Sequence, residues 1–419
     1  MKVAIISAKF PFGPKEPFLE AEIKALSDYI EELTIIPASP PRDAQRVTDL
    51  PATVIRMPVF SARTIFRALR MCIEDPKAVG QAFCSIIFPR ARPLVRLKNI
   101  AVFPKALAVA DLVRREGVDH IHSYWLSTPS TVAYVAAQIA KKPWSSTAHR
   151  FDIYEDNLPQ PKAQSASFIR TISRKGLRDF RKRVVPADWE RSIVLHLGAK
   201  VPRDGMVHPI DARNRPLTLV CPAALIPKKG HRVLLDALAQ VRDAGVFVRC
   251  VLAGEGPLRK IIAAEVRRRR LLPTVTLAGT VPHDTLLTQL QSGVYDAVVL
   301  PSHEGNRDGE RTPFEGIPHA LLEGMAAGLP CIATDAGSIP ELLDASCGIV
   351  VPQSDSVALA RAIIALASDR QRGAELGASA RQRIQDRYDA RQTAAVLSAM
   401  LRRPAMLEEP PPELIRLGA

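Results

Sequence analysis

Apolar residues recur along this chain in two registers that alternate. Residues 2–7 (KVAIIS) make an unbroken run of strand length, and beyond a loop rich in Pro and Gly the positions Leu19, Ile23, Leu26 and Ile30 return at helical spacing. Further strand-like runs lie at 33–36, 118–122 and 144–148, with a helical stretch at 131–140 between the last two. The alternation restarts beyond residue 200. Strands are predicted at 217–221, 247–253, 275–278, 297–300 and 331–334, separated by helices at 231–244, 258–271, 284–292 and 318–327. Residues 355–401 read as helical throughout. Strand–helix alternation implies parallel βαβ units. The chain is therefore expected to be α/β, with two doubly wound, Rossmann-like domains facing each other across a ligand cleft at the carboxyl ends of their strands. The expected divisions are an N-terminal domain over 1–199, a C-terminal domain over 200–385, a helix over 386–403 packing back on the first domain, and a Pro-rich tail over 404–419.

Composition narrows the class. Of the 419 residues, 47% are hydrophobic, which excludes a disordered chain, yet Lys or Arg interrupts every long apolar run. None reaches the ~18 residues of a spanning helix, and the first residues lack the features of an export signal. The six cysteines are scattered without a C-x-x-C pair, as expected for reduced core thiols in cytoplasm.

Charge adds an address. Lys and Arg number 57 against 43 Asp and Glu, a net charge of +14, and residues 1–198 hold 30 of the basic side chains against 19 acidic ones. The excess concentrates in 61–115 and 170–183. Over 61–73, Ala62, Ile65, Phe66, Leu69 and Ile73 share one face of a helix, with Arg63, Arg67 and Arg70 on another. Such a basic amphipathic helix predicts contact with an anionic membrane surface or a lipid-diphosphate-linked glycan; a helix covering the domain with a solvated basic face is the plainer alternative. Aromatic residues are only 5% of the chain and no helix-turn-helix pattern is present, so nucleic acid is not the expected partner.

Several chemistries are excluded by missing motifs. The first strand–helix turn holds a single glycine in place of G-x-G-x-x-G, and the chain contains no G-x-x-x-x-G-K-[ST], no G-x-S-x-G and no H-E-x-x-H. The most informative segment runs from Glu315 to Pro330. Pro318 suits the start of a helix and Gly328 its end, so that the free amides after Gly316 and Ile317 offer a phosphate site. Glu315 lies just before this helix and Glu323 about one and a half turns in. Two carboxylates so spaced are positioned for hydroxyls at opposite ends of a nucleoside diphosphate sugar; one loop and one solvated helix carboxylate is the plainer alternative.

Glu315 and Glu323 form E-x7-E within EGIPHALLEGMAAGLPCIATDAGSIPEL, which resembles the donor-site signature of glycosyltransferase family 4, retaining enzymes of GT-B architecture. Lys228-Lys229-Gly230 is similar to the family's K-G turn, Gly254-Glu255-Gly256-Pro257 to its G-x-G-P turn, and Thr280-Val281 falls in its base-side loop. The N-terminal segments Phe10–Phe18, Asp119–His122 and Thr147–Tyr154 resemble the exopolysaccharide branch. The resemblance implies that Glu315 contacts the donor sugar, Glu323 the ribose, Lys229 the diphosphate, and His149 the reacting centre. Gly316, Ile317, Pro318, Gly254, Thr280 and Val281 would complete the donor site, while Gly13, Glu16, His122 and Asp152 would belong to the acceptor side. A histidine after a strand also reads as a structural one.

The family's usual phosphate-binding Arg is Ala224 here, leaving three alternatives: Arg150, Arg174 or Lys228 substitutes, the donor is held weakly, or the protein is degenerate. His196-Leu-Gly-Ala-Lys200 likewise replaces the usual linker H-x-G-V-D. The implied activity is metal-independent, cofactor-free transfer of a sugar from a UDP- or GDP-linked donor to a glycan or lipid-linked oligosaccharide acceptor. It would serve bacterial exopolysaccharide, capsule or lipopolysaccharide assembly, in the cytoplasm or peripherally on the inner face of the membrane. The competing readings are an epimerase or glycan phosphorylase on the same architecture, or a non-catalytic nucleotide-sugar-binding subunit.

Overall fold

The computed structural model describes residues 1–12, 16, 18–41, 49–202, 215–307, 310–312 and 315–403. The chain divides into two compact units, one of Met1–Gly198 with Ala390–Ala419 and one of Ala199–Asp389. The first begins with β1 (Lys2–Ser7), α1 (Leu19–Leu26), β2 (Glu32–Pro37) and β3 (Thr53–Val54). Three helices follow, α2 (Ala62–Glu74), α3 (Pro76–Ile87) and α4 (Pro93–Glu116), then β4 (His120–Tyr124), α5 (Thr128–Ala140) and β5 (Trp144–Ala148). Short helices α6 (Phe151–Tyr154) and α7 (Pro159–Ser165) lead to β6 (Phe168–Thr171), α8 (Arg174–Arg181) and β7 (Ser192–Val194). The strands form one parallel sheet in the order β3-β2-β1-β4-β5-β6-β7.

The second unit contains β8 (Leu217–Pro222), α9 (His231–Asp243), β9 (Val248–Ala253), α10 (Arg259–Arg268), β10 (Val275–Gly279), α11 (His283–Gln291) and β11 (Ala297–Leu300). A hairpin of β12 (Gly305–Arg307) and β13 (Glu310–Thr312) precedes α12 (His319–Ala326), β14 (Cys331–Thr334), α13 (Ile339–Leu342), β15 (Ile349–Val351), α14 (Ser356–Ser368) and α15 (Arg370–Arg387). Its sheet is parallel in the order β10-β9-β8-β11-β14-β15. The chain then returns to the first unit as α16 (Ala390–Arg402), which packs on α1.

Burial explains the pattern. In β1 the side chains of Val3 to Ile6 are all buried, as a parallel strand covered on both faces requires. One core of the first unit lies on the side of α2 to α5; the other lies under α1 and α16, where Leu19, Ile23 and Leu26 meet Ala394, Leu397 and Leu401. The sheet and α1 are joined by a fully buried ion pair, Arg170 to Glu22 at 2.7 Å, with the Tyr124 hydroxyl donating to the same carboxylate at 2.5 Å. Arg170 also donates to the carbonyls of Leu195 and His196, so no guanidinium edge is left to desolvate without a partner.

Among the differences from the sequence expectation, three have a plain physical reason. The strand expected at 118–122 starts at His120, because Gly117 turns left-handed (φ 65°) and the Val118 amide closes the end of α4 on the Val113 carbonyl. The helical stretch 355–401 is three helices: Asp369 accepts from the Arg372 amide at 2.8 Å and starts a new one, and a second break follows at Tyr388. β6 and β15 were not predicted, the first because Arg170 interrupts a four-residue run and the second because it spans three residues.

Candidate active site

In the second unit the candidate residues stand on loops at the carboxyl edge of one parallel sheet. β8 and β11 are neighbours there although they are not consecutive, which makes the gap between them the topological switch point where doubly wound sheets bind ligands. The loops after those two strands carry Lys229 and Glu315. After β8 the chain makes a single turn of 3-10 helix, Pro227–Lys229, and enters α9 through Gly230 at φ 67°. A Cβ on Gly230 would lie 1.8 Å from the Pro301 carbonyl oxygen, so glycine lets the two loops touch. The His303 amide donates to the Lys228 carbonyl at 2.9 Å and ties them.

This contact brings the charges together. Lys229 Nζ donates to Glu315 Oε2 at 2.8 Å, and Lys228 Nζ stands 3.9 Å from Oε1. Glu315 is only 5% exposed. Its carbonyl accepts from the Ser338 amide, and Gly337 in the loop after β14 sits so close that a Cβ there would come within 1.9 Å of the same oxygen. Gly316, Ile317 and Pro318 are buried beside it. Pro318 is the cap of α12 rather than its first helical residue, since its ψ of 124° is extended, and its carbonyl accepts from the Leu321 amide. Burial, then the Lys229 charge, lowers the pKa of the neighbouring His231 to about 4.

Glu323 lies on α12, and Oε1 meets His283 Nε2 at 2.7 Å. His283, at the start of α11, was not among the sequence candidates; it is 40 residues from its partner and no local spacing marks it. Gly254 and its turn stack on the loop after β8: a Cβ at Gly254 would lie 2.1 Å from the Ala223 carbonyl oxygen, and the Leu225 amide donates to the Glu255 carbonyl at 2.9 Å. Ala224 is exposed at the crest of that loop, and Thr280 is exposed and Val281 half-buried between β10 and α11. Of the cations weighed as substitutes at Ala224, Lys228 is the one the structure brings to Glu315; Arg150 and Arg174 belong to the other unit.

In the first unit, His149 directly follows β5 and is 4% exposed. Trp125 stacks on its ring at 4.2 Å between centroids, and Phe18 meets it edge-on at 5.3 Å. Trp125 holds a left-handed backbone (φ 79°), uncommon for a bulky residue, and its indole donates to Glu16 Oε1. The other candidates on this side act as supports rather than as exposed acceptor groups. Glu16 Oε2 accepts the amides of Lys9 and Phe10. Asp152, its pKa raised by burial, accepts the amides of Leu126, His149 and Arg150. His122 is buried within the sheet on Ser145 and Thr147, with burial first and neighbouring charges second holding it neutral. The polar atoms of these three acceptor-side candidates are hydrogen-bonded inside the unit. Gly13 lies outside the described residues.

Comparison with known proteins agrees with this geometry. Residues 208–383 match the model of the glycosyl transferases group 1 family. It is similar to the putative colanic acid biosynthesis glycosyltransferase WcaL of Escherichia coli, 32% identical over 198 residues, 46% of this chain and 47% of that protein. The chain thus spans about half the length of this relative. It is also similar to a GDP-mannose-dependent phosphatidylinositol monomannoside mannosyltransferase of Mycolicibacterium smegmatis, 23% identical over 74% of this chain and 83% of that protein. Among solved structures, Anabaena HepE in complex with UDP and glucose superposes with a TM-score of 0.67 at 17% identity, covering 96% of this chain and all of that one. The fold is that of the GT-B glycosyltransferases.

Proposed function

We propose that the chain is a retaining, metal-independent glycosyltransferase, taking a sugar from a UDP- or GDP-linked donor and placing it on a glycan or lipid-linked acceptor in bacterial exopolysaccharide, capsule or lipopolysaccharide assembly. The observation that carries this reading is the pairing of Lys229 and Lys228 with the buried Glu315 at the switch point of the donor-side sheet. A departing nucleoside diphosphate develops negative charge; two lysines and the amide end of α12 are fixed groups of the right sign, held before the reaction begins. Glu315, neutralised by both lysines, is a poor covalent nucleophile and a good acceptor for sugar hydroxyls, which supports front-face transfer with retention. Glu323, oriented by His283, is the proposed ribose contact. In the other unit His149, held by Trp125 and by Asp152, is the proposed group at the reacting centre. No cofactor is required.

The family domain and the relative named for colanic acid biosynthesis support the assignment to surface polysaccharide assembly; the relative named for a phosphatidylinositol mannoside supports a lipid-linked acceptor. Among the described residues no helix is long and apolar enough to cross a membrane. We place the protein on the cytoplasmic side, where nucleotide sugars are available, peripherally at an anionic membrane surface. The test is nucleotide release from a panel of UDP- and GDP-sugars with an acceptor extract. Lys229→Ala and Glu315→Ala are each expected to lower kcat about 10²- to 10³-fold while circular dichroism stays unchanged. Turnover equal to the parent in either variant rejects the site, and nucleotide binding without turnover of any donor supports the non-catalytic binding reading instead.

A further inference from the structure

The helices of the first unit before β4 carry a surface that the donor chemistry does not use. α2 packs on α4 through the narrow stripe Thr64, Ala68 and Met71. Its larger apolar face points away from the unit. Phe66, Leu69 and Ile73 on α2, Phe88 in the connection between α3 and α4, and Leu94 and Leu97 in the first turns of α4 are 58–81% exposed. One exposed leucine needs no explanation, whereas six large apolar side chains on consecutive helices of one packed layer mark a surface that meets a partner.

Charge identifies the partner. Residues 60–100 hold eight basic and two acidic side chains. Arg67 and Arg70 are directed to Asp111 on α4, but Arg63, Lys77, Arg90 and Arg92 are exposed around the apolar groups. Apolar side chains rimmed by cations match the two layers of an anionic bilayer surface, acyl chains beneath phosphate headgroups.

We infer that α2, the α3–α4 connection and the start of α4 form a membrane-insertion face, in which Phe66, Leu69, Ile73, Phe88, Leu94 and Leu97 enter the headgroup–acyl boundary and Arg63, Arg90 and Arg92 lie on lipid phosphates. The inference deepens the proposed peripheral location and rests on it. It also changes its character: insertion of apolar side chains resists salt, whereas attraction of an arginine face alone is screened.

The test is co-flotation of the full-length protein with phosphatidylcholine vesicles, with and without phosphatidylglycerol, at low and high salt. Binding to the anionic vesicles is expected to persist in part at high salt. The triple variant Phe66→Ser/Leu69→Ser/Leu97→Ser should weaken it at least about tenfold at both salt concentrations, and Arg63→Ser/Arg90→Ser/Arg92→Ser should weaken it mainly at low salt. All six substitutions are at exposed positions in the first unit, whereas the candidate donor residues belong to the second, so nucleotide binding, measured in parallel by calorimetry, should be unchanged; its absence in the parent protein would count against the proposed activity and not against this surface. Parent-like flotation of the Phe66→Ser/Leu69→Ser/Leu97→Ser variant overturns the inference, as does absence of binding at both salt concentrations. So does a parent dimer in sedimentation that the same variant dissociates, which would assign the face to a second copy of the chain.

Discussion

Lys229 and Glu315 are 86 residues apart, and what joins them is a set of glycines more than the charges themselves. Gly337 shows this most directly. At φ 59° and with the Glu315 carbonyl oxygen 1.9 Å from any Cβ, it admits no side chain without moving Glu315. Gly337→Ala is expected to destabilise the fold by about 1–3 kcal/mol, the usual cost of such strain, and to reduce turnover further than the melting shift explains. Thermal denaturation and initial rates on the same preparation separate the two effects. Chemistry of this kind was partly legible in the chain: carboxylate spacing and the K-G turn pointed to Glu315, Glu323 and Lys229. The partner His283, and the closure of Ser338 over Glu315, were not, since pairings across 23 and 40 residues leave no local signal.

At the scale of elements, α2 separates periodicity from packing. Its apolar and basic faces were visible as a pattern, but the pattern does not say which face a neighbour covers. α4 decided it by presenting Asp111, 2% exposed, to Arg67, Arg70 and Arg115. Those ion pairs turn the arginines inward and leave Phe66 and Ile73 in solvent. Asp111→Ala is expected to cost about 2 kcal/mol, because Arg67 and Arg70 then keep, among the described residues, only the half-exposed Glu74 as an ion-pair partner. Urea denaturation checks the magnitude. If the packing explanation holds, Asp111→Asn, which keeps the acceptor oxygen, loses less.

The whole molecule stores buried lysines that make its stability depend on pH. Burial lowers Lys105 to about 7 and Lys162 to about 7; Lys105 donates to the Met57 carbonyl at 2.6 Å and Lys162 to the Ser127 carbonyl at 3.1 Å. With folded values below the unfolded value near 10.4, the unfolded chain binds more protons between pH 7 and pH 10, so stability rises with pH there by up to about 1.4 kcal/mol per pH unit for each group. The opposite sign applies to Cys221, which burial pushes up to about 12: above pH 9 the unfolded thiol ionises and the fold loses stability. Urea midpoints are therefore expected to climb from pH 7 to pH 9 and then flatten. In Lys105→Met the climb should be shallower, whatever the absolute stability of the variant.

The sequence by itself determined the class of the molecule. Apolar periodicity specified strands and helices in alternation, glycine and proline bounded α12, and the E-x7-E segment carried the resemblance to a donor-site signature, because each of these is written within one turn, one strand or one helix. The tertiary structure alone decided where the polar groups of the candidate residues find their partners. Glu16, His122 and Asp152 have the residue types of an acceptor site, yet backbone amides and hydroxyls from distant strands take up their polar atoms. A buried polar group must find a partner somewhere in the fold, and where that partner lies depends on packing that no short stretch of chain contains.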